Sequence, residues 1–176
     1  MIKVSENLYL AQPKMTDVQE FYNQIIANRS HLIDWVPFVG NFKEKHDAEV
    51  YIFDAIRYNE GGQKLTFWIK ENEILIGSIG LFKIDKVIQK AEVGYWISKE
   101  HAGKSITKNA VKSVLKYAFE ELNLNRVEAR IATLNEASKY VVKSIGFQLE
   151  GVMRQDSFIN EKYHDMEVYG ILKKEF

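Results

Sequence analysis

Residues Ala91–Thr107 read AEVGYWISKEHAGKSIT and contain three successive parts of a fold. Ala91–Ile97 is apolar and aromatic, which predicts a strand, and Ile106 begins an apolar pattern at helical spacing that runs to Leu122. The tripeptide Gly103–Ser105 lies between them. A strand that leads through a tight loop into a helix leaves the first helical N–H groups unpaired, and these groups favour an anion. The local pattern therefore predicts a phosphate site, with an ordinary solvated loop as the alternative.

The Gly-Lys-Ser triplet also ends the nucleotide-binding P-loop, whose first glycine would fall at Ser98. In P-loop proteins a later apolar strand ends in the Asp that binds magnesium. Here the next strand, RVEARIATLN (126–135), ends in Asn135. We therefore expect this loop not to bind a nucleoside triphosphate.

The composition fits one compact domain and excludes several kinds of site. The chain has 176 residues, of which 46% are hydrophobic and 27% charged, so we expect a single domain over residues 1–176. It contains no cysteine, which excludes disulfides, thiolate metal sites and a cysteine nucleophile. The four histidines show no metal-ligand spacing, and we expect no metal.

Charge and hydropathy bear on partners and location. Basic and acidic residues number 24 each, so the formal net charge is zero and we expect no direct binding to nucleic acid. No apolar run reaches about 18 residues, and the first residues lack the apolar segment of a signal peptide, so we expect no membrane association. With the absence of cysteine, these features favour a cytoplasmic protein.

Hydrophobic periodicity predicts one strand, two helices, three strands, a helix, a strand, a helix and two strands. The predicted strands are Leu8–Gln12, Leu65–Lys70, Ile74–Phe82, Ala91–Ile97, Val127–Ile131, Phe147–Met153 and Met166–Leu172. Gly61 and Gly62 end a long helix from about Glu44 to Glu60, and Asn135 caps a short one that stops at Gly146. This order predicts an α/β fold with a mixed, largely antiparallel sheet of six to seven strands flanked by helices.

Several motifs in order along the chain carry a family resemblance. They are Ala91–Ile97 (AEVGYWI), Gly103–Ile106 (GKSI), Tyr117–Phe119 (YAF), Leu124–Val127 (LNRV), Asn135–Ser138 (NEAS), Gly146–Phe147 (GF) and Leu149–Gly151 (LEG). Together they resemble the GNAT acetyltransferases, and within them the RimJ/RimL branch, whose best-known members acetylate the N-terminal amine of ribosomal proteins. The resemblance implies a single-domain GNAT-like fold.

The resemblance implies acetyl-CoA as the phosphate ligand, with its pyrophosphate over the loop and its pantetheine arm along the strand. The residues so implied to bind the coenzyme are Tyr95, Trp96, Ile97, Gly103, Lys104, Ser105, Ile106, Thr107 and Asn135. The specified places of the family's loop pattern, Q/R-x-x-G-x-G/A, hold Ala102, Ser105 and Thr107 here. All three depart from the pattern, which leaves weaker or altered coenzyme binding open.

Acetyl transfer from a thioester to an amine by direct attack needs a neutral amine, a donor for the anionic carbonyl oxygen and a proton source for the leaving thiolate. The resemblance places Ser138 near the sulfur as the thiolate donor. It aligns a family carboxylate with Ser157, which cannot act as a base at neutral pH. Glu92 acting through water is our predicted base. Four further residues remain candidates for that role: Asp156, His164, Asp165 and His101.

The predicted function is an N-acetyltransferase for a primary amine, with the N-terminal amine of a protein, such as a ribosomal protein, as the leading acceptor. The alternatives are a small amine such as a polyamine or antibiotic, and a coenzyme A-binding protein with little catalysis. Trp35 and Phe38 either wall the acceptor site or pack in the core. A homo-oligomer is left open.

Overall fold

The computed structural model describes residues 1–176 as one eight-stranded sheet flanked by helices. The strands are β1 (Ile2–Lys3), β2 (Leu8–Ala11), β3 (Leu65–Glu71), β4 (Ile74–Asp85), β5 (Lys90–Ile97), β6 (Arg126–Ala132), β7 (Gln148–Ile159) and β8 (Lys162–Leu172). The helices are α1 (Val18–Ala27), α2 (Arg29–Leu32), α3 (Lys45–Gly61), α4 (Ile106–Glu120) and α5 (Glu136–Lys143). Across the sheet the strand order is β1-β2-β3-β4-β5-β6-β8-β7.

The α/β class and the largely antiparallel sheet are confirmed, but the prediction of six to seven strands was one strand short. The missed strand is β1, which pairs Ile2 with Leu10 and Lys3 with Tyr9. Two residues are too few to show a period of two, so the sequence pattern did not reveal it. None of the helices is long and apolar enough to cross a membrane.

Strands β5 and β6 are the parallel neighbours in the sheet, and they separate along their length. Their pairing covers only Lys90–Glu92 against Arg126–Glu128. Beyond that point β5 stays paired with β4 as far as Ile97, and β6 stays paired with β8 as far as Ala132. We call the gap between 93–97 and 129–132 the divergent cleft. Its β5 side presents backbone groups that have no strand partner.

The two faces of the sheet are covered differently. Helices α4 and α5 cover one face over a cluster of 25 buried residues that includes Val111, Leu115 and Tyr169. Helices α1, α2 and α3 cover the other face over 12 buried residues drawn also from β3, β4 and β5, but from none of the last three strands. We call these the α4 face and the α1 face. The α1 face of β6, β7 and β8 is therefore free of α-helices, and the short 3-10 helix Pro37–Asn41 contacts β7.

Candidate active site

The loop before α4 is held in an unusual backbone conformation. Gly103 has φ +78° and Ser105 has φ +60°, both in the left-handed region. α4 begins directly after Ser105, so its unpaired N–H groups lie at this loop. A side chain at φ +60° is disfavoured by roughly 1–2 kcal/mol, which explains why a glycine is specified at this place in the family pattern. Ser105 therefore keeps the expected loop shape at an energetic cost.

Alternating side chains of β5 face opposite sides of the sheet beside the divergent cleft. Tyr95 and Ile97 pack toward the α4 face, whereas Trp96 is buried on the α1 face among the aromatic residues of that core. The Tyr95 hydroxyl donates a hydrogen bond to the Ser138 carbonyl at 3.1 Å. Burial raises the pKa of Tyr95, so the phenol stays a neutral donor. This bond joins β5 to α5 across the cleft.

The first turn of α5 presents Ser138 to the cleft. The Asn135 Oδ1 atom accepts a hydrogen bond from the Ser138 backbone N–H at 3.1 Å, which confirms the predicted N-cap. Within the chain, the backbone of Ser138 is thus bonded on both its N–H and its carbonyl, while its hydroxyl makes no hydrogen bond. The hydroxyl is free to donate to a ligand atom.

A buried lysine that the sequence analysis missed fixes the same turn from the other side. Lys139 is only 8% exposed, and its Nζ atom donates to the Thr133 carbonyl at 2.7 Å. It also forms ion pairs with Glu136 at 2.6 Å and Glu167 at 3.4 Å. The pKa of Lys139 is raised, chiefly by its hydrogen bond to Glu136. A lysine on a helix is normally read as solvated, so no sequence signal distinguished this one.

The predicted base Glu92 lies on the α1 face within a chain of charges. Its Oε1 atom is 2.9 Å from the Lys83 ammonium and 3.3 Å from the Arg130 Nε atom. Arg130 in turn pairs with Asp156 at 3.0 Å. Glu92 and Asp156 are therefore both ion-paired carboxylates beside the helix-free part of this face.

The other candidate bases lie in two places. The His101 Nδ1 atom is 2.7 Å from the Ser98 hydroxyl, and its Nε2 atom is 3.5 Å from Glu71, in the turn that precedes the loop. The Asp165 carboxylate accepts a hydrogen bond from the Gln155 N–H at 2.8 Å. His164 lies on β8 two residues before Met166, where the pairing with β6 ends, and its ring is 6.4 Å from that of Trp35.

Trp35 and Phe38, the two aromatic residues proposed for the acceptor site, both pack against the edge of the α1 core. Phe38 packs against Tyr51 with ring centroids 4.6 Å apart and belongs to the edge of the α1 core. Trp35 also lies in the segment that meets the β7–β8 hairpin, where Asn160 donates to Asp34 at 2.8 Å. The Trp35 side chain therefore adjoins both the α1 core and His164 of the hairpin.

A sequence model of the acetyltransferase (GNAT) domain matches residues 7–148. The chain belongs to this family. Over 175 residues the chain is 35% identical to the putative ribosomal N-acetyltransferase YdaF of Bacillus subtilis, with 99% of this chain and 96% of that protein covered. It is 29% identical to the ribosomal-protein-serine acetyltransferase of Escherichia coli, with 96% and 94% covered.

Solved structures agree with this assignment. A probable acetyltransferase superposes with a TM-score of 0.94 at 35% identity, covering 99% of this chain and 97% of that one. RimL, a ribosomal L7/L12 α-N-protein acetyltransferase in complex with coenzyme A, superposes with a TM-score of 0.94 over 97% of each chain. Its identity is 20%, and the likeness therefore concerns the fold.

The residues of this GNAT acetyltransferase fit acetyl-CoA. The helix start at Ile106 and the left-handed loop suit a pyrophosphate, and Lys104 adds a positive charge. The unpaired backbone of β5 suits the amides of a pantetheine arm, which would bind as an added strand. Acetyl-CoA supplies the acetyl group, and no group of three or more metal-ligating side chains is present.

Proposed function

We propose that this acetyltransferase transfers the acetyl group of acetyl-CoA to the N-terminal amine of a protein. The observation that carries the proposal is the divergent cleft, which opens to both faces of the sheet and has Ser138 beside it on the α4 face. A thioester on one face can meet an amine from the other. The similarity to YdaF and to the ribosomal-protein-serine acetyltransferase supports a protein acceptor, with a ribosomal protein as the first to test.

We assign coenzyme binding to the residues named from the sequence. The pyrophosphate binds at Gly103–Thr107, and the pantetheine arm follows Tyr95–Ile97 and passes Asn135. Trp96 contributes its backbone, because its side chain is buried in the opposite core. Ser138 donates its hydroxyl hydrogen to the leaving sulfur. Glu92, held in place by Lys83 and Arg130, is one candidate base and would act through a water molecule.

A polyamine is the second candidate acceptor. The spermidine N(1)-acetyltransferase of Vibrio cholerae is 30% identical over 102 residues, covering 58% of this chain. Glu92 and Asp156 supply negative charge near the cleft, which suits a polycation. Both carboxylates are already ion-paired, which favours the protein acceptor over this alternative.

The acceptor is tested by following thiol release from acetyl-CoA with a panel of compounds. The panel contains peptides with free N-termini taken from ribosomal proteins, the same peptides with blocked N-termini, spermidine and an aminoglycoside. We expect turnover with the free peptides and none with their blocked forms. Turnover with spermidine alone would support the second candidate, and calorimetric binding of acetyl-CoA without any turnover would indicate a coenzyme-binding protein.

A further inference from the structure

His164 lies on β8 beside the end of β6, one of the two strands that form the divergent cleft. On β8, Tyr169 and Ile171 are buried on the α4 face, while Val168 is paired with Arg130 and faces the other way. His164 is four residues before Val168, so it shares the α1 face with Arg130. The Asp165 carbonyl accepts from the Thr133 N–H at 3.0 Å, which places this part of β8 at the end of β6, where the cleft is widest.

The position of His164 is opposite to that of Ser138 with respect to the sheet. Ser138 lies on α5, which packs on the α4 face, and His164 faces the α1 face against Trp35. An amine adds to one face of the planar thioester, and the tetrahedral intermediate then expels sulfur, so the acceptor of the nitrogen's proton and the donor to sulfur are separate groups at different positions. A base on the amine's side and a donor on the sulfur's side match this requirement.

One hydrogen bond determines which ring nitrogen of the neutral His164 side chain carries the hydrogen. The Nε2 atom of His164 is 3.3 Å from the Ile159 carbonyl oxygen. Because a carbonyl only accepts, Nε2 carries the hydrogen, and the lone pair of the neutral ring is on Nδ1. Nδ1 has no hydrogen-bond partner or ion-pair partner within the chain. His164 is half-buried at the mouth, so a ligand can approach this atom.

Each of the remaining candidate bases already has a polar partner within the chain. Glu92 is paired with Lys83 and Arg130, and Asp156 is paired with Arg130. The carboxylate of Asp165 accepts a backbone hydrogen bond, and both nitrogens of His101 have partners. An ion pair uses an oxygen of the carboxylate that would otherwise accept a hydrogen bond from the acceptor amine.

We propose that His164, through Nδ1, is the general base that receives the acceptor's proton. The proposal rests on the proposed function. The neutral amine nitrogen forms a bond to the carbonyl carbon, and its proton passes to Nδ1 directly or through one water molecule. The C–S bond breaks, and its electron pair leaves on sulfur. Ser157, directly opposite His164 in the hairpin register, is on the same face but its hydroxyl is no base at neutral pH.

The variant His164→Gln tests the assignment. A glutamine amide N–H can still donate to the Ile159 carbonyl, but the variant lacks the basic lone pair. We expect kcat/KM for the acceptor to fall by about 10²–10⁴-fold, as removal of a general base does. Acetyl-CoA affinity and melting temperature should stay at wild-type values. His46→Gln, which changes an exposed histidine on α3, is the matched control and should keep full activity.

A second substitution separates a base from a structural support. In the double variant His164→Gln, Ser157→Glu, the new carboxylate lies across the hairpin from position 164, and kcat/KM should rise at least about tenfold above that of His164→Gln alone. Wild-type kcat/KM in His164→Gln, or a loss that the double variant does not recover, overturns the role of His164. Failure of the wild type to acetylate any acceptor overturns the proposed function itself, and this proposal with it.

Discussion

In the proposed reaction, the Ser138 hydroxyl donates a hydrogen bond to sulfur as negative charge develops there. Ser138→Ala should therefore lower kcat while leaving acetyl-CoA affinity nearly unchanged, because the bond is strongest in the transition state. A lost charge-assisted hydrogen bond is worth about 1.5–3 kcal/mol, or roughly ten- to a hundredfold in rate. Steady-state kinetics and calorimetry on one preparation measure both quantities. A normal kcat in a step limited by chemistry would contradict the role.

A substitution at Gly103 tests whether coenzyme binding depends on the backbone conformation of the loop. A Cβ atom at this position would meet nothing within 4 Å, so a substitution causes no clash in the free protein, yet φ is +78°. Gly103→Val should weaken acetyl-CoA binding because a β-branched residue disfavours the left-handed region. Gly103→Asn is the matched control, since asparagine tolerates that region. We expect calorimetry to give the valine variant a clearly higher Kd than the asparagine variant; equal values would remove the loop from the site.

At the residue scale, contacts between residues close in sequence could be predicted, whereas contacts between residues on different elements could not. Asn135 was predicted as a cap because an N-cap satisfies donors only three residues away, and the structure confirms it. The ion pair of Glu92 with Arg130 joins residues on different strands, and no spacing in the sequence reveals it. The burial of Lys139 depends on acceptors from β8 and the end of β6 in the same way.

At the scale of elements, the ends of β6, β7 and β8 are held together by a charged cluster. Arg126 bonds to Glu128 at 2.9 Å and to Glu150, and Lys90 is 3.3 Å from Glu128. Gly170 lies beneath this cluster, where a Cβ atom would be 2.7 Å from the Arg126 guanidinium. Burial raises the pKa of Glu128, but its hydrogen bonds from Arg126 and Lys90 outweigh burial and hold the pKa below its ordinary value.

This cluster makes stability depend on pH in a defined direction. A carboxyl group whose pKa is lowered by folding contributes stability above its unfolded pKa, about 4.3, and loses that contribution as the pH falls through the folded pKa. Arg126→Met should lower the melting temperature at pH 7. Between pH 5 and pH 3 the melting temperature of this variant should decrease less than that of the wild type. Thermal scans across this range measure the effect. Lys116→Met, which removes an exposed pair with Glu120, is the control and should behave as wild type.

Prediction of elements succeeded where one face was buried. The pattern that predicted a helix from about Glu44 to Glu60 matches Lys45–Gly61, which ends at Gly62 with φ +67°. It predicted both strands of the β7–β8 hairpin but made them too short, since they continue to Ile159 and Lys162, beyond the predicted Met153 and Met166. Both sides of β7 are exposed as far as Asp156, so no alternation of apolar and polar residues marks the strand.

For the whole molecule, coenzyme binding should appear as added thermal stability. A ligand that binds only the folded state stabilises it by about 2.7 kcal/mol at a hundred times its Kd. We expect acetyl-CoA to raise the melting temperature in a concentration-dependent way and ATP to leave it unchanged, because the chain lacks the other half of a P-loop. An equal rise with ATP would contradict the assignment of the loop.

The divergent cleft also sets the kinetic order of the reaction. In the proposed reaction the coenzyme approaches the cleft from the α4 face and the acceptor from the α1 face, so neither substrate blocks the other and both are bound when chemistry occurs. Double-reciprocal plots at several fixed acceptor concentrations should therefore intersect. Parallel lines, the pattern of a ping-pong enzyme that holds the acetyl group covalently, should not be observed. Because the two substrates use different openings, coenzyme A can dissociate while a long acetylated polypeptide is still bound to the enzyme.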